Sequence, residues 1–98
     1  MAAFLFELEI ADLNEDMMAV IPQHREQIGK LFAEGRLLSY SVSIHRNYIW
    51  CVVNAEDEHH AMEIVLSFPL FHFFSDISCH PLLFHNTAPA ALPVISLN

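Results

Sequence analysis

Positive charge is scarce in this chain: four Lys and Arg stand against twelve Asp and Glu in 98 residues, a net charge of -8. Gripping a phosphate backbone takes the opposite sign, so nucleic acid is not an expected partner. Glycine occurs twice, at Gly29 and Gly35, which leaves no glycine-rich loop to cradle a nucleotide phosphate. The two cysteines, Cys51 and Cys79, lack CxxC spacing and read as buried free thiols rather than a redox pair or a zinc site. No run of about eighteen apolar residues occurs, so no membrane span is expected. Nor does the N-terminal stretch carry the basic flank and cleavage site of an export signal, and the expected location is cytoplasmic.

What remains is apolar. A hydrophobic fraction of 54% argues against disorder, and a chain of this length builds one domain with a two-layer core. The organising stretch is 38–53, LSYSVSIHRNYIWCVV, which reads as a β-hairpin. With Arg46-Asn47 as a two-residue turn, His45 pairs with Tyr48 and the side chains sort by a period of two. One face carries Leu38, Tyr40, Val42, Ile44, Ile49, Cys51 and Val53. The other carries Ser39, Ser41, Ser43, His45, Tyr48, Trp50 and Val52, fit to line a wet pocket or an interface.

Before the hairpin, residues 2–10 alternate as a half-buried strand, with Phe4, Phe6, Leu8 and Ile10 on the apolar side. Asp12 and Glu15 have capping-box spacing, Asn14 is a competing cap, and a helix follows to about Glu34. Met17, Met18, Ile21, His24, Ile28, Leu31 and Phe32 form its apolar stripe, Gly35 ends it, and Pro22 is expected to kink it or split off its first turns. After the hairpin, residues 54–68 read as a second helix capped by Asp57 and ended by Pro69. A fourth strand spans about 75–84, placed at a sheet edge because Pro81 cannot donate to a ladder.

Strand, helix, strand, strand, helix, strand is the α+β, ferredoxin-like order: a four-stranded antiparallel sheet with two helices on one face. Residues 1–86 form that domain and 87–98 an extended tail. The bare face, with Leu5, Tyr48, Trp50 and Val52, is expected to be buried by dimerisation or a larger homo-oligomer, giving a dimeric α/β barrel.

At Phe68-Pro69-Leu70-Phe71, followed by Asp76-Ile77 and His85, the chain resembles muconolactone Δ-isomerase and its small relatives. The likeness spans most of 30–85: Glu34-Gly35 closing the first helix, a hairpin of matching length, a helix ending in PLF, and a His nine residues after the strand Asp. It implies a barrel of paired subunits and a cofactor-free proton shift between carbons of an unsaturated lactone. Where that family has basic residues in its second strand, this chain has Ser39, Tyr40, Ser41 and Val42, so that strand offers no Arg or Lys to a substrate carboxylate. Barrels of this build also include small monooxygenases, which would need an electron-rich substrate beside Trp50 or His24, and proteins that only bind an apolar ligand or a partner chain.

A proton shift beside a carbonyl needs a base, a group that polarises the oxygen, and exclusion of water. Glu7, His24, His45 and Tyr48 are the candidate catalytic residues, with Glu7 desolvated against Trp50 as base and Tyr48 or His45 as donor. Glu9, Tyr40, Ser41, Trp50, Asp76 and His85 are candidate substrate contacts. Each has a plainer reading: Glu7 and Glu9 solvated or paired with Arg36 or Arg46, His24 satisfying a carbonyl freed by Pro22, and Asp76 solvated instead of orienting His85. Seven histidines form no HExxH or regular triad, and His72, His80 and His85 converge only if folding brings them together; no metal is expected.

Overall fold

In the computed structural model, which describes residues 1–12 and 14–88, the elements are β1 (Ala2–Ile10), α1 (Glu15–Ala33), β2 (Leu37–Val42), β3 (Tyr48–Ala55), α2 (Glu58–Leu66), a 3-10 turn of helix (Pro69–Phe73) and β4 (Phe74–Leu82). The strands pair antiparallel in the order β2-β3-β1-β4. This is the ferredoxin-like α+β arrangement expected from the element order. The tail expected at 87–98 lies, from residue 89 onward, outside the described residues.

Period-two alternation dictates the core. Phe4, Phe6, Leu8 and Ile10 of β1 are buried together with Ile49, Cys51, Val53 and Ala55 of β3, against Met17, Ile28 and Leu31 of α1 and Ala61, Ile64 and Val65 of α2. Phe6 sits between Cys51 on one neighbouring strand and Cys79 on the other, so the thiols are two strand spacings apart, about 10 Å, beyond disulfide reach. Desolvation pushes the Cys51 thiol up to about 12 and Cys79, helped by Glu58, up to about 11. Both stay protonated and unreactive.

The caps follow local chemistry. Asn14, not Asp12, caps α1, its Oδ1 accepting from the Met17 amide at 2.8 Å. At the other end Gly35, at φ 73°, lets the Arg36 amide bond the Leu31 carbonyl and the Gly35 amide bond Phe32, which closes the helix. The expected split at Pro22 does not occur: α1 runs unbroken through it. Pro22 lies on the exposed side, where water can serve the carbonyl it leaves unpaired. Asp57 caps α2 as expected, but Asn54 and Ala55 belong to β3, so the helix is shorter than the reading of 54–68.

Three further corrections concern the hairpin and its faces. Val42 pairs with Ile49 and Ser41 with Trp50, so Ile44 to Asn47 form a four-residue loop and His45 does not pair with Tyr48. Ser43 decides this: its Oγ accepts from the Asn47 and Tyr48 amides at 3.1 and 2.9 Å, closing the turn two residues earlier than an Arg46-Asn47 turn would. The slip is of even length, so the faces survive it. A bulge between Leu37 and Ser39 does exchange one pair, burying Leu37 (2% exposed) and leaving Leu38 outward (37%). Val52, assigned to the bare face, is only 3% exposed; a small side chain in mid-sheet is shielded by the neighbours aligned with it, Leu5 and Ser39.

Candidate active site

The ten candidate residues do not form one site, because the sheet divides them. Glu7, Glu9, Tyr48, Trp50, Ser41 and Asp76 share the face away from the helices: Glu7 aligns with Trp50, Glu9 with Tyr48 and with Asp76, and Ser41 with Trp50. Trp50 Nε1 donates to Glu7 Oε1 at 3.4 Å, and the Trp50 and Tyr48 rings stack at 5.8 Å. In the single chain this face is open, with Trp50 39% exposed and Glu9 and Asp76 in solvent. His45 is also exposed, in the hairpin loop. Asp76 does not orient His85: Asp76 lies near the start of β4 and His85 beyond its end, and Asp76 to Leu82 alone covers about 20 Å at a strand's rise per residue. The Nε2 of His85 is buried and has no hydrogen-bond partner among the described residues.

Tyr40 and His24 lie on the helix side, where a cleft of about 430 Å³ separates the first half of α1 from the hairpin. Its walls are mostly apolar, from Ile10, Met17, Ile21, Ile28, Ile49 and Leu70, and Met18 and Val42 are exposed because they flank it. At its base His24, 4% exposed, holds Tyr40 Oη at 2.7 Å through Nε2, and its Nδ1 accepts the Leu70 backbone amide at 3.4 Å. The freed carbonyl of the Pro22 turn is therefore not its partner. Phe68 meets the imidazole edge-on at 5.6 Å.

These bonds fix the protons. An imidazole nitrogen that accepts from an amide carries no hydrogen, so in the neutral ring Nε2 is the protonated one and donates to Tyr40 Oη. The Tyr40 hydroxyl proton is left free to point into the cleft. Burial lowers the His24 pKa to about 4 and raises that of Tyr40, first by desolvation and second by Cys51, so both stay neutral. The pair acts as an aimed hydrogen-bond donor.

Arg25 and Arg46 also line this cleft, two of the four cations in a chain of net charge -8. The sequence reading missed them as site residues, although Arg25 adjoins His24 and Arg46 sits at the hairpin turn. They supply, from α1 and the loop, the positive charge that β2 lacks. No Asp or Glu is among the described residues lining the cleft. Elsewhere, His59 pairs with Glu63 on exposed α2 at 2.9 Å, and His60 Nδ1 accepts from the Glu56 amide. Among the described residues, no three His, Cys, Asp or Glu side chains are placed to hold a metal ion. None of the described helices is long and apolar enough to cross a membrane.

No protein-family model matches the chain, and no curated protein does. Solved structures do. A muconolactone isomerase structure superposes with a TM-score of 0.62 at 16% identity, covering 89% of this chain and 96% of its own. A 5-chloro-2-hydroxyhydroquinone dehydrochlorinase from Burkholderia phenoliruptrix, solved with 2,5-dihydroxybenzoquinone, does so with a TM-score of 0.60 at 10% identity, covering 80% of this chain and 90% of its own. The resemblance carried by the PLF segment and the Asp-Ile strand extends to the whole domain as a likeness of fold: this chain has the ferredoxin-like fold of muconolactone isomerase.

Proposed function

We propose that the chain is a small cofactor-independent enzyme that moves a proton on a compact, unsaturated lactone or carboxylic acid, with the cleft between α1 and the hairpin as its site. The observation that carries this reading is the His24–Tyr40 pair at the base of an apolar cleft with arginines on its lining. The names of the structural neighbours point the same way, since a muconolactone and a dihydroxybenzoquinone are both small unsaturated rings bearing oxygens that a tyrosine can polarise. Arg25 and Arg46 hold a carboxylate, and Tyr40 donates to the carbonyl oxygen. As a proton leaves the carbon conjugated with that carbonyl, negative charge moves onto the oxygen; return of a proton at the far end of the conjugated system completes the shift.

No carboxylate lines the cleft, and the His24 Nδ1 lone pair is held by the Leu70 amide in a ring that burial keeps neutral, so the chain supplies the donor and the leaving proton passes to water in the cleft. Glu7 lies on the opposite face of the sheet, away from this cleft. Incubating the protein with muconolactone and related unsaturated lactones in D2O, and following deuterium incorporation by NMR, tests the reading. Arg25→Gln and Arg46→Gln should each weaken binding of an acid about 10-fold, the worth of one charge-assisted hydrogen bond, with the loss shrinking at high salt. Affinities unchanged by either substitution would remove the arginines from the site.

A second reading, a barrel that binds a small apolar ligand without turning it over, is favoured by one observation: His24 and Tyr40 already satisfy each other. Absence of deuterium exchange together with measurable binding selects it.

The open sheet face, bearing Trp50, Tyr48 and Leu5, is our proposed homodimer surface. Sedimentation should show a dimer at micromolar concentration, and Trp50→Lys should shift it toward monomer. A monomeric wild type would contradict this assignment.

A further inference from the structure

Arg46 is the one described non-glycine residue with a positive φ, 60°, although Asn47, a residue better suited to that conformation, is next to it. The left-handed backbone is held from several sides. Ser43 Oγ donates to Asn47 Oδ1 at 2.9 Å while accepting from the Asn47 and Tyr48 amides. The Arg46 amide donates to the Ser43 carbonyl at 2.9 Å, and the Asn47 carbonyl accepts from the Ile10 amide at 2.8 Å, which ties the loop to the end of β1 beside the cleft. Residues kept in sparsely populated conformations persist where the surroundings over-determine them, and they concentrate at ligand clamps. Arg46 meets both conditions, since it lines the cleft together with Arg25.

We infer that Ser43 and Asn47 form a clasp that positions Arg46 over the cleft, and that this clasp makes the site select the anionic form of its ligand over an uncharged one. The inference rests on the cleft being a ligand site. An arginine on a mobile loop loses conformational freedom when it captures a carboxylate; one already held by its backbone loses less, and the difference appears as preference for charge. Ser43 is thus a positioning residue that acts through Arg46 without touching the ligand.

The test compares affinities for muconolactone and for its methyl ester, which differ by one charge, in the wild type, Ser43→Ala, Ser43→Thr and Arg46→Gly, with thermal midpoints alongside. The wild type should bind the acid about 100-fold more tightly than the ester, about 10-fold for each arginine. Ser43→Ala should cut that ratio about 10-fold, to what Arg25 alone supplies, with ester affinity unchanged, and Ser43→Thr should restore it. Arg46→Gly leaves the clasp in place and relieves the left-handed strain, so it should melt roughly 4 °C higher while losing the same roughly 10-fold of preference. It reads the arginine even if Ser43→Ala fails to fold. Wild type binding neither compound overturns the cleft reading and this inference together. Equal binding of acid and ester by the wild type, or a full preference surviving in Ser43→Ala or Arg46→Gly, overturns the inference and leaves the cleft reading standing.

Discussion

Tyr40→Phe should lower turnover of a lactone substrate by about 10²- to 10³-fold while changing its affinity little, because the lost hydroxyl proton stabilises charge that develops only in the transition state. The substitution keeps the ring, so packing near Cys51 and Ile49 changes by one oxygen atom. His24 then loses the acceptor for its Nε2 hydrogen, and a water entering the cleft can take that place. The split between kcat and KM is the informative readout: equal losses in kcat and kcat/KM mark a group acting in the transition state. A rise in KM alone, with kcat intact, would make Tyr40 a binding group and contradict the mechanism.

The second large effect is on stability and follows from His24 being buried neutral. Its folded pKa of about 4 lies below the ordinary 6.5, so between those values the unfolded chain is the one that binds a proton. The stability this group contributes is fully present above about pH 6.5 and is lost as pH falls from about 6.5 to 4. At 1.36 kcal/mol per pK unit the full loss is about 3 kcal/mol, a large share of a domain's ordinary margin. His24→Leu should be less stable than wild type at pH 7.5 by about 1–3 kcal/mol, because the Leu70 amide loses its partner. It should lose less than wild type on acidification, so the two urea midpoints converge or cross near pH 4. Parallel curves would show that His24 takes up its proton equally readily in the folded and unfolded chain, and would contradict its burial as a neutral ring.

The order of elements and their inward faces were legible in the sequence because period two is a strong signal: it survives a turn shifted along the chain, as the hairpin shows. The turn itself was not legible, since choosing the Ser43 clasp over an Arg46-Asn47 turn depends on one hydroxyl that accepts two hydrogen bonds and donates a third. Leu37 and Leu38 exchanged places through a bulge that no pattern in LLSYSV announces. The 3-10 segment Pro69–Phe73 read as the stop of a helix and as part of a family resemblance, with no sign that its Leu70 amide sets the tautomer of His24.

The site was legible in part. His24 stood out as an imidazole on an apolar stripe, and Tyr40 as a phenol on an apolar strand face; their meeting follows from α1 lying over β2. Glu7, Tyr48 and Trp50 were drawn together correctly by register, but a sheet has two sides, and alternation alone does not say which side holds the cavity. The arginines were missed because single cations on a helix and in a turn look like ordinary solvated charge. Only their shared cleft distinguishes them.

The most direct measurement is a crystal structure of the protein soaked with muconolactone. Density in the cleft between α1 and the hairpin, with a ligand oxygen within hydrogen-bond distance of Tyr40 Oη and the carboxylate toward Arg25 and Arg46, is the result this account predicts. Density on the opposite face, against Glu7 and Trp50, with the cleft empty, would contradict it.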